Sequence, residues 1–180
     1  LNREDMDKLF GEGSELTYRR PITQPGQYTS EEQITLVGPK GEMKLRIIGP
    51  LRPYTQMELA FTDVRNLGLT DVPIRLSGEL EGSAGAKLVG PKGEIELTKG
   101  IIVPARHLHL FPESAEKYGL KDGDVVTIKT TGQRAMTFHN VIVRAGEAHA
   151  DEIHLDTDEA NACNLDNDAL IDVIVEKENL

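Results

Sequence analysis

Only one cysteine, no tryptophan and an aromatic fraction of 4% occur in the 180-residue chain. The single thiol, Cys163, excludes an internal disulfide and any zinc site built from several thiolates, and it fits a reducing cytoplasm. With so few aromatic rings there is little to stack against nucleic-acid bases. Positive charge is also scarce: 20 Lys and Arg against 30 Asp and Glu leave a formal net charge of -10. That balance excludes a general nucleic-acid surface, so an anionic substrate would need a local arginine cluster working against the overall field. No apolar run approaches the ~18 residues of a membrane-spanning helix, and the first residues lack the pattern of a secretory signal. The opening "LNREDMDKLF" starts at Leu1 and reads as the middle of an element, so a further segment is expected to precede it.

What remains, 38% apolar and 28% charged residues, is the composition of a folded globular chain, long enough for one large domain or two small ones. Its organisation shows first as repetition. "LVGPKGE" stands at residues 36–42 and again, unchanged, at 88–94. Each copy reads as strand, tight Gly-Pro-Lys-Gly turn, strand. A phosphate-cradling loop would need a helix to start after the glycines, and none does, so a hairpin turn is the favoured reading. A second repeat is set on His109, His154 and Glu58. One residue on stand Leu110, Leu155 and Leu59; further on stand Glu113, Asp158 and Thr62, then Ala115, Ala160 and Val64; each unit closes on Gly119-Leu120, Asn164-Leu165 or Gly68-Leu69. Each unit reads as a strand ending in a polar residue, a two-turn helix, a left-handed Gly or Asn stop, and another apolar run: "VVTI", "ALIDVIV" or "VPIRL". Leu1, Glu4 and Met6 fit the same register, so a polar metal ligand is expected just before Leu1.

Short β-branched strands with helices too short to cover a parallel sheet predict a mainly β protein with short α-helices, arranged as two similar helix-capped β-barrel domains. The boundary is expected in the Gly/Ser/Ala-rich stretch 79–88, dividing a first lobe 1–84 from a second lobe 85–180, with exchange of strands between lobes left open.

The chemistry-bearing candidates follow from the repeat. His107 and His109 are two apart, so both project from one face of a strand. His154 occupies the place of His109 in its own unit, and supplies the third ligand of an open, three-ligand metal site. The alternative is a pair of hydrogen-bonded structural histidines. Zinc is the default for imidazole, with cobalt, iron and manganese compatible with the residue type. Two residues before each unit's key position stand His107, Glu152 and Gln56, so polar groups from three strands are expected to share a cleft. Glu58 is a candidate carboxylate ligand, while Arg52 and Arg106 can bind an anion bidentately or pair with surface acids. His139 and His149 fall outside the register and read as surface or structural residues. Cys163, inside a helix beside Ala162, reads as a packing residue.

Taken together, "LFGEGSELT", "QPGQYTSEEQITLVGPKG", "GPLRPYTQMEL", "SGELEGSAGAKLVGPKG", "ARHLHLFPESAEKYGLKDGDVV" and "EIHLDTDEANA" closely resemble the propanediol-utilisation type of phosphotransacylase, phosphate propanoyltransferase. The resemblance covers essentially the whole chain. It implies two helix-capped barrels, two metals, usually zinc, and interconversion of acyl-coenzyme A plus phosphate with acyl phosphate plus coenzyme A. Carried across residue by residue, one metal falls on His107, His109 and His154 and the carboxylate of the other on Glu58. The phosphate-binding arginine falls on Arg52, and coenzyme A contacts fall near Arg46, His154 and Asn161. The family's remaining H-x-H pair lies directly before the stretch that here begins at Leu1. The resemblance further implies a homo-oligomer, no nucleic-acid or membrane partner, and a cytoplasmic location, with some members housed in bacterial microcompartments through an N-terminal extension that meets shell proteins. The alternative expectation is a metal-stabilised double-barrel binding module without turnover; a metal hydrolase on the same site is a weaker one.

Overall fold

The computed structural model describes residues 1–167, 169 and 174–177. It is mainly β, with four short helices among the described residues. Contacts divide the chain into two compact units, Leu1–Pro104 and Ala105–Leu180.

The first unit runs α1 (Arg3–Phe10), β1 (Tyr18–Pro21), β2 (Tyr28–Val37), β3 (Glu42–Gly49), β4 (Met57–Glu58), α2 (Phe61–Leu67), β5 (Ile74–Arg75), β6 (Ala84–Val89) and β7 (Glu94–Pro104). The path of paired strands is β1-β2-β6-β7-β4, with β3 also on β2 and β5 also on β7. The two copies of LVGPKGE make the hairpins β2–β3 and β6–β7, and the copies meet each other. Leu36 pairs with Leu88, the same position of the other copy, flanked by Thr35–Val89 and Val37–Lys87. Both leucines are fully buried. An approximate two-fold axis therefore passes through this pair, and the sequence repeat becomes a spatial one.

The turns explain why the two copies of the repeat are worded alike. The last carbonyls of a helix lack intrahelical partners. Here the Lys40 backbone N–H donates to Leu67 O at the end of α2 (2.9 Å), and Lys92 N–H donates to Leu9 O at the end of α1 (3.0 Å). The lysine amides that a phosphate cradle would use are thus spent on helix ends, as a hairpin turn requires. Each helix lays an apolar pair on the sheet, Met6 and Leu9 from α1, Val64 and Leu67 from α2, joining Ile34, Leu36, Ile47, Leu59, Leu88 and Ile101 in one core. The close approach demands glycine: a Cβ on Gly38 would stand 2.4 Å from Leu67 O, and one on Gly90 the same distance from Leu9 O. Gly38→Ala is therefore expected to destabilise the unit by about 1–3 kcal/mol, the usual cost of overpacking. Gly41→Ala in the same turn, with its nearest atom at 3.4 Å, should cost clearly less; paired urea titrations check the difference.

The second unit runs β8 (His107–Leu110), α3 (Pro112–Tyr118), β9 (Val125–Lys129), β10 (Thr137–Ala145), β11 (Glu152–His154), α4 (Thr157–Cys163) and β12 (Ile174–Lys177). Its strand order is β11-β8-β10-β9-β12. Leu108 and Leu110 of β8 point into a core with Val126, Ile128, Phe138, Val141, Val143 and Cys163, which leaves His107 and His109 on the opposite face. The strand–helix–stop unit occurs three times: β4–α2, β8–α3 and β11–α4 end at Gly68, Gly119 and Asn164, all left-handed. Asp156 and Glu159 form a reciprocal capping box at the start of α4, which fixes where the chain leaves β11. Of the apolar run "ALIDVIV", residues 170–173 lie outside the described residues.

Candidate metal centre

Strand pairing, not sequence proximity, assembles the centre. β11 runs antiparallel to β8 with His154 opposite His107 and Glu152 opposite His109. Side chains directly opposite one another, and those two apart along a strand, share one face of the sheet. The candidate ligand atoms of His107, His109 and His154 all lie within 4.8 Å of one another. Their rings are packed, with centroids at 4.7 Å (His107–His109), 4.5 Å (His107–His154) and 4.4 Å (His109–His154).

Local bonds decide which nitrogens are available. His107 Nδ1 lies 2.8 Å from the Ala105 carbonyl oxygen; a carbonyl only accepts, so Nδ1 carries the proton and Nε2 keeps its lone pair. His109 Nδ1 and His154 Nε2 are buried without a hydrogen-bond partner, although Glu152 Oε2 stands 2.9 Å from His154 Nε2. A buried polar atom left unpaired costs roughly 1–3 kcal/mol, and two in one histidine cluster are what a metal ion would satisfy. The three histidines therefore fit a metal.

Burial also holds two of them neutral. His107 is pushed down to about 4, first by burial and then by its histidine and Arg144 neighbours, against the opposing Ala105 bond. His109 is pushed down to about 3 by burial and by the surrounding histidines. Neutral imidazole is the form that ligates. Because both folded-state values lie below the ordinary 6.5, the unfolded chain takes up these protons first as pH falls. The metal-free protein should thus lose stability progressively below pH 6.5, down to the folded values. Urea midpoints at neutral pH and partway down this window test it, and His109→Gln should flatten the dependence.

The remaining candidates occupy other places. Glu58, on β4 in the first unit, accepts from Gln56 Nε2 at 2.7 Å. Arg52, also in the first unit, donates from Nη2 to Gln27 Oε1 at 2.6 Å. Arg46 Nη1 donates to the carbonyls of Ser30 (2.7 Å) and Glu31 (3.0 Å). Asn161 is exposed on α4 in the second unit. Arg106 is taken up structurally: it pairs with Glu159 at 2.7 Å, donates to His139 O at 3.0 Å and covers the Phe138 ring. It braces the start of α4 against β10, so of its two readings ion pairing is the one realised. Cys163 is buried, its Sγ 3.3 Å from Glu159 O, and burial pushes its thiol up.

Sequence reading did not foresee one contact of the cluster. His149, read as surface or structural, stacks on His109 with centroids 4.1 Å apart. Gly146 N–H donates to Leu110 O and His149 N–H to Gly146 O, so the loop turns back over the end of β8. The only signal was a glycine-led turn close before "EIH", which says nothing of which ring it meets.

A known family matches this frame along its length: the sequence profile of phosphate propanoyltransferase covers residues 1–166. Proteins named phosphate propanoyltransferase are similar at 47% identity over 174 residues in Rhodobacter capsulatus, 96% of this chain and 80% of that one. The Thermotoga maritima protein is 46% identical over 176 residues, covering 97% and 83% of the two chains. That of Salmonella typhimurium is 43% identical over 169 residues, covering 93% and 80%. The chain belongs to the phosphate propanoyltransferase family. It is accordingly an acyltransferase, and the histidine cluster is a feature of a phosphate propanoyltransferase-family protein. No helix among the described residues is long and apolar enough to cross a membrane.

Proposed function

We propose that the protein interconverts an acyl-coenzyme A and inorganic phosphate with an acyl phosphate and coenzyme A, propanoyl being the reference acyl group and acetyl a second substrate. Family membership over residues 1–166 is the observation that carries this reading. One metal would be held by His107, His109 and His154, and Glu58 would serve a second; zinc is the metal proposed for both. When bound, such an ion supplies Lewis-acid polarisation of the thioester carbonyl and charge stabilisation for the departing thiolate.

The chain's own residues do the positioning. Arg52 would hold inorganic phosphate through two N–H groups of its planar guanidinium, with Gln27 Oε1 fixing the side chain through Nη2. A phosphate oxygen then forms the new C–O bond as the C–S bond breaks, and coenzyme A leaves as thiolate and takes its proton from solvent. Held reactants replace a bimolecular encounter. Arg46, His154 and Asn161 would contact coenzyme A. No enzyme nucleophile is required, in keeping with the burial of Cys163. The family reading also carries two helix-capped barrels, although the strand pairing among the described residues does not close either sheet into a barrel. It carries a homo-oligomer too, in the cytoplasm or within a microcompartment whose shell is met through an N-terminal extension.

Metal-loaded protein should release free thiol from propanoyl-coenzyme A only when phosphate is added. Release without phosphate would make it a thioesterase and sink the proposal. A chelator should abolish turnover as well as lower the melting temperature; a pure binding module would show only the second effect.

A further inference from the structure

We infer that Arg144 is a second phosphate-binding arginine, holding the phosphoryl group of phosphate and of acyl phosphate beside the histidine centre. The inference rests on the phosphate acyltransferase reading and on the three histidines as a metal centre, and adds to them a residue that neither requires.

Strand register places the guanidinium. β10 runs parallel to β8, with Arg144 beside His109 and Ile142 beside His107. Val141 and Val143 of β10 are buried in the core with Leu108 and Leu110 of β8. Alternation therefore turns Arg144 to the face that carries the histidines. On the other side of β8, β11 sets Glu152 opposite His109. A row thus crosses three strands: Glu152, His109, Arg144. Its acidic end faces His154, with Glu152 Oε2 2.9 Å from Nε2; its basic end lies on the β10 side. Burial first, and then neighbouring charges that include Arg144, hold His107, His109 and His149 back from protonation. The arginine is felt at all three rings.

Charge then asks for an anion. Among the described residues the ion pair of Arg144 is a long one, Nε standing 3.9 Å from Asp122 Oδ1, beyond hydrogen-bond reach. Asp122 is 65% exposed, where water and salt screen the attraction, and the same oxygen accepts from Ala145 N–H at 3.0 Å. Arg106, by contrast, is closed on Glu159 at 2.7 Å. A divalent ion on three neutral imidazoles would add two positive charges beside an arginine already short of negative charge. A phosphate dianion offsets both, and its oxygens match the planar fork of the guanidinium. The side of approach selects which phosphate. The residues of this unit proposed to contact coenzyme A, His154 and Asn161, belong to β11 and α4, whereas Arg144 stands across β8 from β11. The anion it meets is the reacting phosphate rather than a phosphate of coenzyme A.

Calorimetric titration of the zinc-loaded full chain with inorganic phosphate reads this contact without turnover. Arg144→Gln should weaken phosphate binding about tenfold or more, the scale of a lost charge-assisted hydrogen bond, with zinc content unchanged; Arg144→Lys should recover part of the loss. In steady-state kinetics the KM for phosphate and, in the reverse direction, for acyl phosphate should rise together. Those for acyl-coenzyme A and coenzyme A should hold. A rise for the coenzyme A substrates instead would assign Arg144 to their phosphates and overturn the inference. Asp122→Asn separates binding from bracing: it keeps an acceptor for Ala145 N–H but removes the competing charge, so phosphate should bind more tightly than to the parent protein. An arginine that served only as a strut to Asp122 would make this variant weaken phosphate binding as Arg144→Gln does. Equal phosphate affinity in the parent protein and Arg144→Gln overturns the inference outright. Failure of the underlying reading looks different: the zinc-loaded parent protein would itself neither bind phosphate nor need it to release thiol, and the inference would fall with that reading.

Discussion

Alanine at His107, His109 or His154 should remove bound metal and acyl transfer together, with activity falling by about 10²–10³-fold or more, the scale on which loss of one transition-state charge stabiliser is felt. The three donors lie within 4.8 Å of one another, and two donors cannot complete the three-ligand pattern of an open catalytic site. The same three substitutions should leave the fold intact, because β8 buries Leu108 and Leu110 and not its histidines. His139→Ala is the contrast: its Nδ1 meets Thr127 Oγ1 at 2.9 Å, and neither metal content nor turnover should move. His149→Ala falls between, because it removes only the ring stacked on His109. Elemental analysis beside a thiol-release assay measures both quantities on each variant. Should His139→Ala strip the metal while His154→Ala retains it, the assignment of the third ligand is wrong.

Much of this centre was legible because period-two geometry is rigid. Two histidines separated by one residue in a strand must share a face, and the alternation of "HLHL" says which face is the core. The place of His154 came from repetition, since equivalent positions of a repeated unit meet equivalent surroundings. His149 was not legible, because its position depends on how a loop folds back over the end of β8, and no local propensity encodes that. Arg106 was ambiguous for a related reason. Its sequence neighbours are the histidines, but its actual partner, Glu159, arrives from a helix 53 residues further along.

The fold shows the same division. Hairpin turns at residues 38–41 and 90–93 followed from Gly and Pro, and the left-handed stops of α2, α3 and α4 from Gly68, Gly119 and Asn164. That the two hairpins pair with each other through Leu36 and Leu88 did not follow from local signals. Identical sequences can lie in separate sheets as easily as across an axis. What selects the axis is the burial of α1 and α2, each ending on a turn of the repeat: α1 on Lys92 and α2 on Lys40. The glycines at 38 and 90 have no turn-specific dihedral to explain them, only the carbonyl 2.4 Å from where a Cβ would stand.

Arg52→Ala should act on a different substrate term from the histidine variants. The backbone N–H of Arg52 donates to Leu1 O at 2.8 Å, a bond that alanine preserves, and the guanidinium itself is tethered only through Nη2 to Gln27 among its described hydrogen bonds. Removing the side chain should therefore spare folding and the metal content of the three-histidine centre. The loss should fall on phosphate: its KM should rise and kcat/KM for phosphate drop by about 10²-fold, the scale on which misplacing a reactant is felt. Arg52→Lys should recover only part of this, because an ammonium is a point donor and cannot bind two phosphate oxygens in a fixed plane. Gln27→Ala leaves the arginine in place but frees Nη2, so a smaller rise in the phosphate KM is expected, with kcat less affected. Steady-state kinetics with each substrate varied in turn separate these cases. If Arg52→Ala raised the KM for acyl-coenzyme A and left that for phosphate unchanged, Arg52 would belong to the coenzyme side and the phosphate assignment would fall.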